Sequence, residues 1–231
     1  MIARVGIAIA LAMLPVPALA QALSCPLPRT IARPFVERVP DDQEPVVKPV
    51  TGYVLALSWS PHYCRVHGGN PRDTLQCRTG RFGFVLHGLW PQGEGAEPRW
   101  CAFARRLPEP LLRANLCVSP SAQLIQHQWA KHGTCTGASA RGYLAASRTL
   151  FTKLRFPDMA ARRPITAARL RRDMASANPW LPSRAIRIDT VPGNRLSGMR
   201  ICLGLNLRPT PCAGAPRDTA RPLVIAAAGR S

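Results

Sequence analysis

The apolar positions fall into short runs separated by polar, proline-rich and cysteine-bearing stretches. TGYVLALSWS (51–60) is such a run, rich in aromatic and β-branched residues, and predicts a core strand. RFGFVLHGLWPQ (81–92) starts as a strand and is expected to end at Gly88 and Pro91. RAIRIDTV (184–191), LSGMRICLGLNLR (196–208) and PLVIAAA (222–228) read as closing strands. A helical period is clear in SAQLIQHQWAKH (121–132), where Ser121 is placed to cap the first turn. ARGYLAASRTLFTKLRF (140–156) and ITAARLRRDMASAN (165–178) are amphipathic in the same way, and 102–118 is weakly so. HYCRVHGGNPRDTLQC (62–77) reads as a polar loop closed by two cysteines. Between residues 26 and 50 six prolines (26, 28, 34, 40, 45 and 49) predict an extended leader that Cys25 could staple down. Strands and helices mix without regular βαβ alternation or repeats, which points to one α+β domain.

The ends of the chain and its cysteines set its expected address. MIARVGIAIALAMLPVPALA has a positive residue, an apolar run and Ala18-Leu19-Ala20, and reads as a signal peptide cleaved after Ala20 or after Ala22. Pro15 and Pro17 interrupt a run already too short for a membrane anchor. Ala22-Leu23-Ser24 before Cys25 is a poor lipobox. The expected division is therefore a signal peptide at 1–20, a proline-rich extension at 21–50 and a catalytic domain at 51–231, exported to the periplasm or secreted, without membrane insertion. All eight cysteines follow the cleavage point, an even number that favours four disulfides in an exported protein. None shows the C-x-x-C spacing of zinc or redox sites. Spacing alone leaves the connectivity open.

Charge adds a class of partner. The net charge is +19, from 31 Lys+Arg against 12 Asp+Glu, and loss of the signal peptide removes only Arg4. Such a field attracts polyanions, nucleic acid first and anionic envelope second, although the arginine excess of an Ala- and Arg-rich chain also fits compositional drift.

Candidate chemistry concentrates in two stretches. In HQWAKHGTC (127–135) the helical advance of about 100° per residue puts His127, Gln128, Lys131 and His132 roughly on one face. Trp129 and Ala130 fall on the other, and Gly133 offers a stop. That polar face is either a site or a solvated surface. In FVLHGLWPQ, His87 ends an apolar run directly before a glycine, where side chains leave a core for a cleft. Two imidazoles can divide general-acid and general-base work near neutral pH. A lysine and further donors can hold a phosphate and stabilise charge developing on it. Intramolecular attack of an RNA 2′-hydroxyl on the adjacent phosphate needs that set and no metal, and DNA, lacking the hydroxyl, would not react. Zinc hydrolases place their histidines four apart around a glutamate, whereas His127 and His132 are five apart with no carboxylate between them. His62 and His67 read as ordinary loop histidines.

These residues resemble a known family. RFGFVLHGLWPQ is similar to the first active-site segment of the ribonuclease T2 family and HQWAKHGTC to the second, which usually carries glutamate after its first histidine. MRICLGLNLRPTPC resembles the family's C-terminal cysteine-bearing segment. YVLALSW and the RW…CVSP region are similar to its bacterial periplasmic members, of ribonuclease I type. The resemblance covers roughly residues 51–212. It implies an α+β fold with a central antiparallel sheet flanked by helices and bonded by disulfides. It implies a monomeric endoribonuclease, without cofactor or metal, that cleaves single-stranded RNA with little base preference. The products would pass through 2′,3′-cyclic phosphates to 3′-phosphates, with DNA left uncut. Carried over by position, His87 is the acid toward the leaving oxygen and His132 the base. Lys131 stabilises the transition state, His127 binds the phosphate, and Trp90 stacks on a base or lines the pocket. Gln128 departs from the family's glutamate: an amide can hydrogen-bond a phosphate oxygen but cannot exchange a proton, which implies lowered or pH-shifted activity. The resemblance also implies the pairs Cys64–Cys77, Cys101–Cys135 and Cys202–Cys212, with Cys25–Cys117 left by elimination. Two rivals stand beside this reading: a ribonuclease homologue that binds RNA with weakened turnover, which Gln128 favours, and a cationic envelope-binding protein.

Overall fold

A computed structural model describes residues 22–159, 164–214 and 219–227. The expected signal peptide at 1–20 lies outside the described residues. The centre of the protein is a four-stranded antiparallel sheet of β2 (Gly52–Trp59), β4 (Phe84–Gln92), β5 (Ile186–Val191) and β6 (Arg195–Gly204), in the order β4-β2-β6-β5. A small two-stranded sheet pairs β1 (Ala22–Ser24) with β3 (Arg81–Phe82). Around the sheet lie α1 (Ser60–His67), α2 (Glu109–Arg113), α3 (Ala122–Lys131), α4 (Ala140–Thr152) and α5 (Ala167–Ala177). The α+β class and the antiparallel sheet flanked by helices are thus as the sequence predicts.

The three long helices form where the apolar period places them, and each begins on a side-chain cap. Ser121 Oγ accepts from the Leu124 amide, Ser139 Oγ from Gly142 and Thr166 Oγ1 from Arg169, at 3.2–3.3 Å. Such a cap satisfies one of the amides that the first turn leaves unpaired, worth roughly 1 kcal/mol. The α3 and α4 helices pack on β4, and α5 on β5. Their apolar faces meet Leu55, Leu57, Phe84, Leu86, Met199 and Ile201 from the sheet in one core. Tyr143 of α4 is fully buried and clamps β4 at one residue, donating to the Leu89 carbonyl at 3.0 Å while its oxygen accepts from the Leu89 amide at 3.3 Å.

Four expectations about elements are corrected. The 62–77 stretch is not a loop, since α1 starts at Ser60 and two short helical turns follow at Pro71–Asp73 and Leu75–Thr79. Few of its residues are apolar, so periodicity misses it. It is held instead by Pro61 in the first turn, the Cys64–Cys77 disulfide and a 2.9 Å hydrogen bond from the Tyr63 hydroxyl to Asp73. Second, the strand through His87 does not stop at Gly88 or Pro91 but runs to Gln92. It is an edge strand, where proline's missing amide breaks no ladder bond. Third, the helical signal at 102–118 yields only the five residues of α2. Fourth, PLVIAAA forms no strand among its described residues but a single bridge, Arg195 with Val224. Its bonds are divided: the Leu223 amide donates to Ile165, and the Leu196 amide donates to Val224.

Four disulfides are closed, Cys25–Cys117, Cys64–Cys77, Cys101–Cys135 and Cys202–Cys212. The proline-rich stretch does not trail away from the body. Beyond Cys25–Cys117, Ile31 is buried and Arg106 donates to the Pro34 carbonyl at 2.9 Å. Val46 exchanges both backbone hydrogen bonds with Arg99.

Candidate active site

The site begins with an irregularity in β4. Ala56 of β2 pairs with Gly88 and the next residue, Leu57, with Leu86, so His87 is an extra residue bulged out of the ladder. A bulge bends the strand and re-aims one side chain, and here the re-aimed side chain is the histidine. Ser58 Oγ lies 3.0 Å from His87 Nδ1, which occupies that nitrogen and leaves Nε2 for proton transfer.

The facing wall is the last turn of α3. His127, Gln128 and Lys131 are helical and His132 is the C-cap residue, its amide still bonded to the Gln128 carbonyl. The residue after the cap must be glycine, since a Cβ on Gly133 would sit 2.3 Å from the Trp129 ring and 2.9 Å from Tyr143. The Lys131 carbonyl accepts from the Trp100 amide, and Cys101–Cys135 ties the two segments together. The polar face read from the helix wheel is not a solvated surface, since Gln128 is 3% and His132 6% exposed.

Trp90 links the two walls. Its ring stacks on His132 with centroids 5.5 Å apart and meets His87 edge-on at 5.6 Å. Its indole N–H donates to Gln128 Oε1 at 2.8 Å. Gly88 makes this possible, because a Cβ there would stand 2.0 Å from that same oxygen. All six residues singled out from the sequence, His87, Trp90, His127, Gln128, Lys131 and His132, line one cleft of about 690 Å³.

Electrostatically the cleft is divided. Burial, and then the charges of His127 and Lys131, lower the His87 pKa to about 4. Burial, and then Lys131, His127 and His87, lower that of His132 to about 3. Burial has a visible component at His132: its Nδ1 has no hydrogen-bond partner among the described residues, so a second ring proton finds no acceptor there. The cleft is also lined by Asp41, Asp42, Glu44 and Glu97, with Gln43 and Arg99. Sequence reasoning missed these residues, and Glu37, whose carboxylate lies 3.4 Å from His127 Nδ1. The only available signal was that few acidic residues exist and three of them stand in DDQE, within a stretch that has no periodicity. His62 and His67 are not among the residues lining the cleft. Among the described residues no group of three or more His, Cys, Asp or Glu side chains is placed to hold a metal ion.

Two buried imidazoles from different elements, with a third histidine and a lysine beside them, share one cleft, and the chain falls in a class of disulfide-bonded α+β proteins. Residues 50–173, more than half of the chain, match the ribonuclease T2 family, and the chain belongs to that family. A probable ribonuclease of Haemophilus influenzae is 42% identical over 123 residues, 48% of this chain and 45% of that protein. A ribonuclease of Aeromonas hydrophila is 42% identical over 91 residues, 39% of this chain and 40% of that protein. The chain thus spans less than half the length of these curated relatives. Among solved structures, RNase NT in complex with 5′-AMP superposes with a TM-score of 0.60 at 19% identity, over 77% of this chain and 98% of that one, a likeness of fold. The match contains all six cleft residues named from the sequence, whereas Glu37 and the Asp41–Glu44 wall precede it.

Proposed function

We propose that the protein is an exported endoribonuclease that cleaves single-stranded RNA without a metal ion and with little base preference. The observation that carries this reading is the meeting of a bulged strand histidine, His87, with Lys131, His127 and His132 of the facing helix end in one cleft. In the first step the 2′-oxygen attacks phosphorus. His132 takes the 2′-proton, and His87 gives a proton to the 5′-oxygen as the P–O5′ bond breaks, leaving a 2′,3′-cyclic phosphate. Water then attacks phosphorus with the roles reversed, His87 accepting its proton and His132 donating to the 2′-oxygen, and a 3′-phosphate results. Lys131 stabilises the charge on the phosphorane and His127 binds the phosphate. Trp90 lines the pocket and offers a face for a base.

The low pKa of His132 suits a base, which must be unprotonated before attack. That of His87 means that the acid takes its proton from solvent, under acidic conditions or once the negative charge of a bound phosphate has raised its pKa. Gln128 acts in this scheme by holding Trp90 rather than by exchanging a proton. The four disulfides support export to an oxidising compartment. Among the described residues no helix is long and apolar enough to cross a membrane.

The test is incubation of the purified protein with RNA and with DNA in EDTA. RNA should be cut and DNA left whole. Substituting His87→Ala or His132→Ala should slow RNA cleavage about 10²–10⁴-fold, the scale of general acid–base catalysis. Activity lost in EDTA and restored by zinc or magnesium overturns the proposal, as does a His87→Ala enzyme as fast as the parent. RNA binding without turnover would instead establish the weakened homologue.

A further inference from the structure

Glu37 stands in the proline-rich stretch, before the segment that matches the family. A chain of contacts aims its carboxylate. The backbone N–H of Phe35 donates to Gln123 Oε1 at 2.7 Å, which turns that amide so that Nε2 faces Glu37. Gln123 Nε2 donates to Glu37 Oε1, and Glu37 Oε2 lies 3.4 Å from His127 Nδ1. Gln123 and His127 are four residues apart on α3 and so share a face. The Trp100 ring meets the His127 ring edge-on at 5.5 Å, and Gln43 from the same stretch accepts the Trp100 indole N–H at 3.0 Å. The stretch is fastened on both sides of Glu37, by Cys25–Cys117 before it and by the Val46–Arg99 backbone pair after it.

We infer that Glu37 is a positioning residue for His127, so that the segment preceding the family domain forms part of the active site. A carboxylate oxygen facing Nδ1 requires a proton on that nitrogen, since two lone pairs would repel. The ring is thereby fixed with Nε2 as the nitrogen left for the phosphate. When the imidazole is charged it gives one N–H to Glu37 and the other to the substrate. The inference rests on the reading of His127 as the phosphate-binding histidine. Both side chains are partly exposed, at 21% for Glu37 and 34% for His127, so the expected effect is modest.

The informative variant is Glu37→Gln. Gln123 Nε2 remains a donor and claims the new carbonyl oxygen, which leaves the new NH₂ facing Nδ1. A donor now opposes a donor, and the neutral ring must move its proton to Nε2. Imidazole ¹⁵N NMR on the full chain at about pH 9, well above the ordinary histidine value, reads this directly, with His127→Ala supplying the assignment. The parent and Glu37→Asp should show the proton on Nδ1, and Glu37→Gln on Nε2. In cleavage of a dinucleoside phosphate, Glu37→Gln should raise KM about two- to fivefold, with kcat nearly unchanged. The same tautomer in the parent and Glu37→Gln, or an unchanged KM, overturns the inference. A parent that cuts no RNA defeats the proposed function alone, because the NMR comparison still decides the role of Glu37.

Discussion

Two buried histidines with lowered pKa values make the folded protein sensitive to mild acid. His87 titrates at about 4 and His132 at about 3 in the native state, against an ordinary value of 6.5. Below pH 6.5 the unfolded chain therefore binds protons that the native state refuses. The stabilisation is fully present above about pH 6.5 and is lost as the pH falls from there toward the native values. Each pH unit crossed costs about 1.4 kcal/mol per histidine. Between pH 8 and pH 5 the two together come to about 4 kcal/mol as an upper bound. That is a large share of a typical domain's 5–15 kcal/mol. The assay is guanidinium unfolding at pH 8 and pH 5 with disulfides intact, on the parent and on a His87→Asn/His132→Asn variant. The lower pH lies above the ordinary carboxylate pKa values, and the variant subtracts what the carboxylates and the other three histidines contribute. The parent's midpoint should fall and the variant's should fall much less. Equal falls in both, or a parent midpoint unchanged at pH 5, would refute the reasoning.

Two further substitutions test the packing and the charge of the site. Gly88→Ala puts a methyl group 2.0 Å from Gln128 Oε1 and 3.0 Å from Trp90 Nε1, so the Trp90–Gln128 bond must break; stability should fall by about 1–3 kcal/mol with a loss of RNA cleavage, and an unchanged Tm rules the crowding out. Gln128→Glu places an anion beside Lys131, His132 and His87, which raises both histidine pKa values; the pH–rate profile should move to higher pH with a larger maximum, and a superimposable profile defeats the argument.

The parts of the site that could be read from the sequence are those set by local geometry. Helix α3 follows from its own apolar period and its Ser121 cap, so the placing of His127, Gln128, Lys131 and His132 on one face needs no knowledge of the rest. The emergence of His87 from an apolar run was also visible, but its cause was not. The bulge exists only in the pairing of Ala56 with Gly88 and Leu57 with Leu86, a property of two strands about 30 residues apart. Pro91 reads as a strand end unless β4 is known to lie on the sheet's edge. The proline-rich stretch is the harder case. It has no period because it forms no regular element and is held by separate contacts to Arg106, Gln123, Arg99 and Trp100. Nothing local to residues 37–44 reveals which wall they face.

The position that departs from the family pattern takes on a different meaning once its neighbours are known. An indole N–H can only donate, so the Trp90 bond fixes the Gln128 oxygen toward Trp90 and turns the amide nitrogen away. A glutamate would keep that bond with one of its oxygens, and Gly88 would leave it the same room. The difference between the two residues at this point is therefore charge rather than shape. Its effect can be read in what sets the two histidines: burial, Lys131, His127 and, for His132, His87 are the causes, and no carboxylate stands among them. The acidic residues that line the cleft, Asp41, Asp42, Glu44 and Glu97, stand on other segments of the chain and are not among those causes. An anion at position 128 would act from within the cationic wall itself, on the side where Lys131 and His127 now push both imidazoles toward the neutral form. With an amide there, the proposed base His132 is unprotonated at any pH above its low native value, while the proposed acid His87 needs an acidic medium, or the charge of a bound phosphate to raise its pKa, before it takes a proton from solvent.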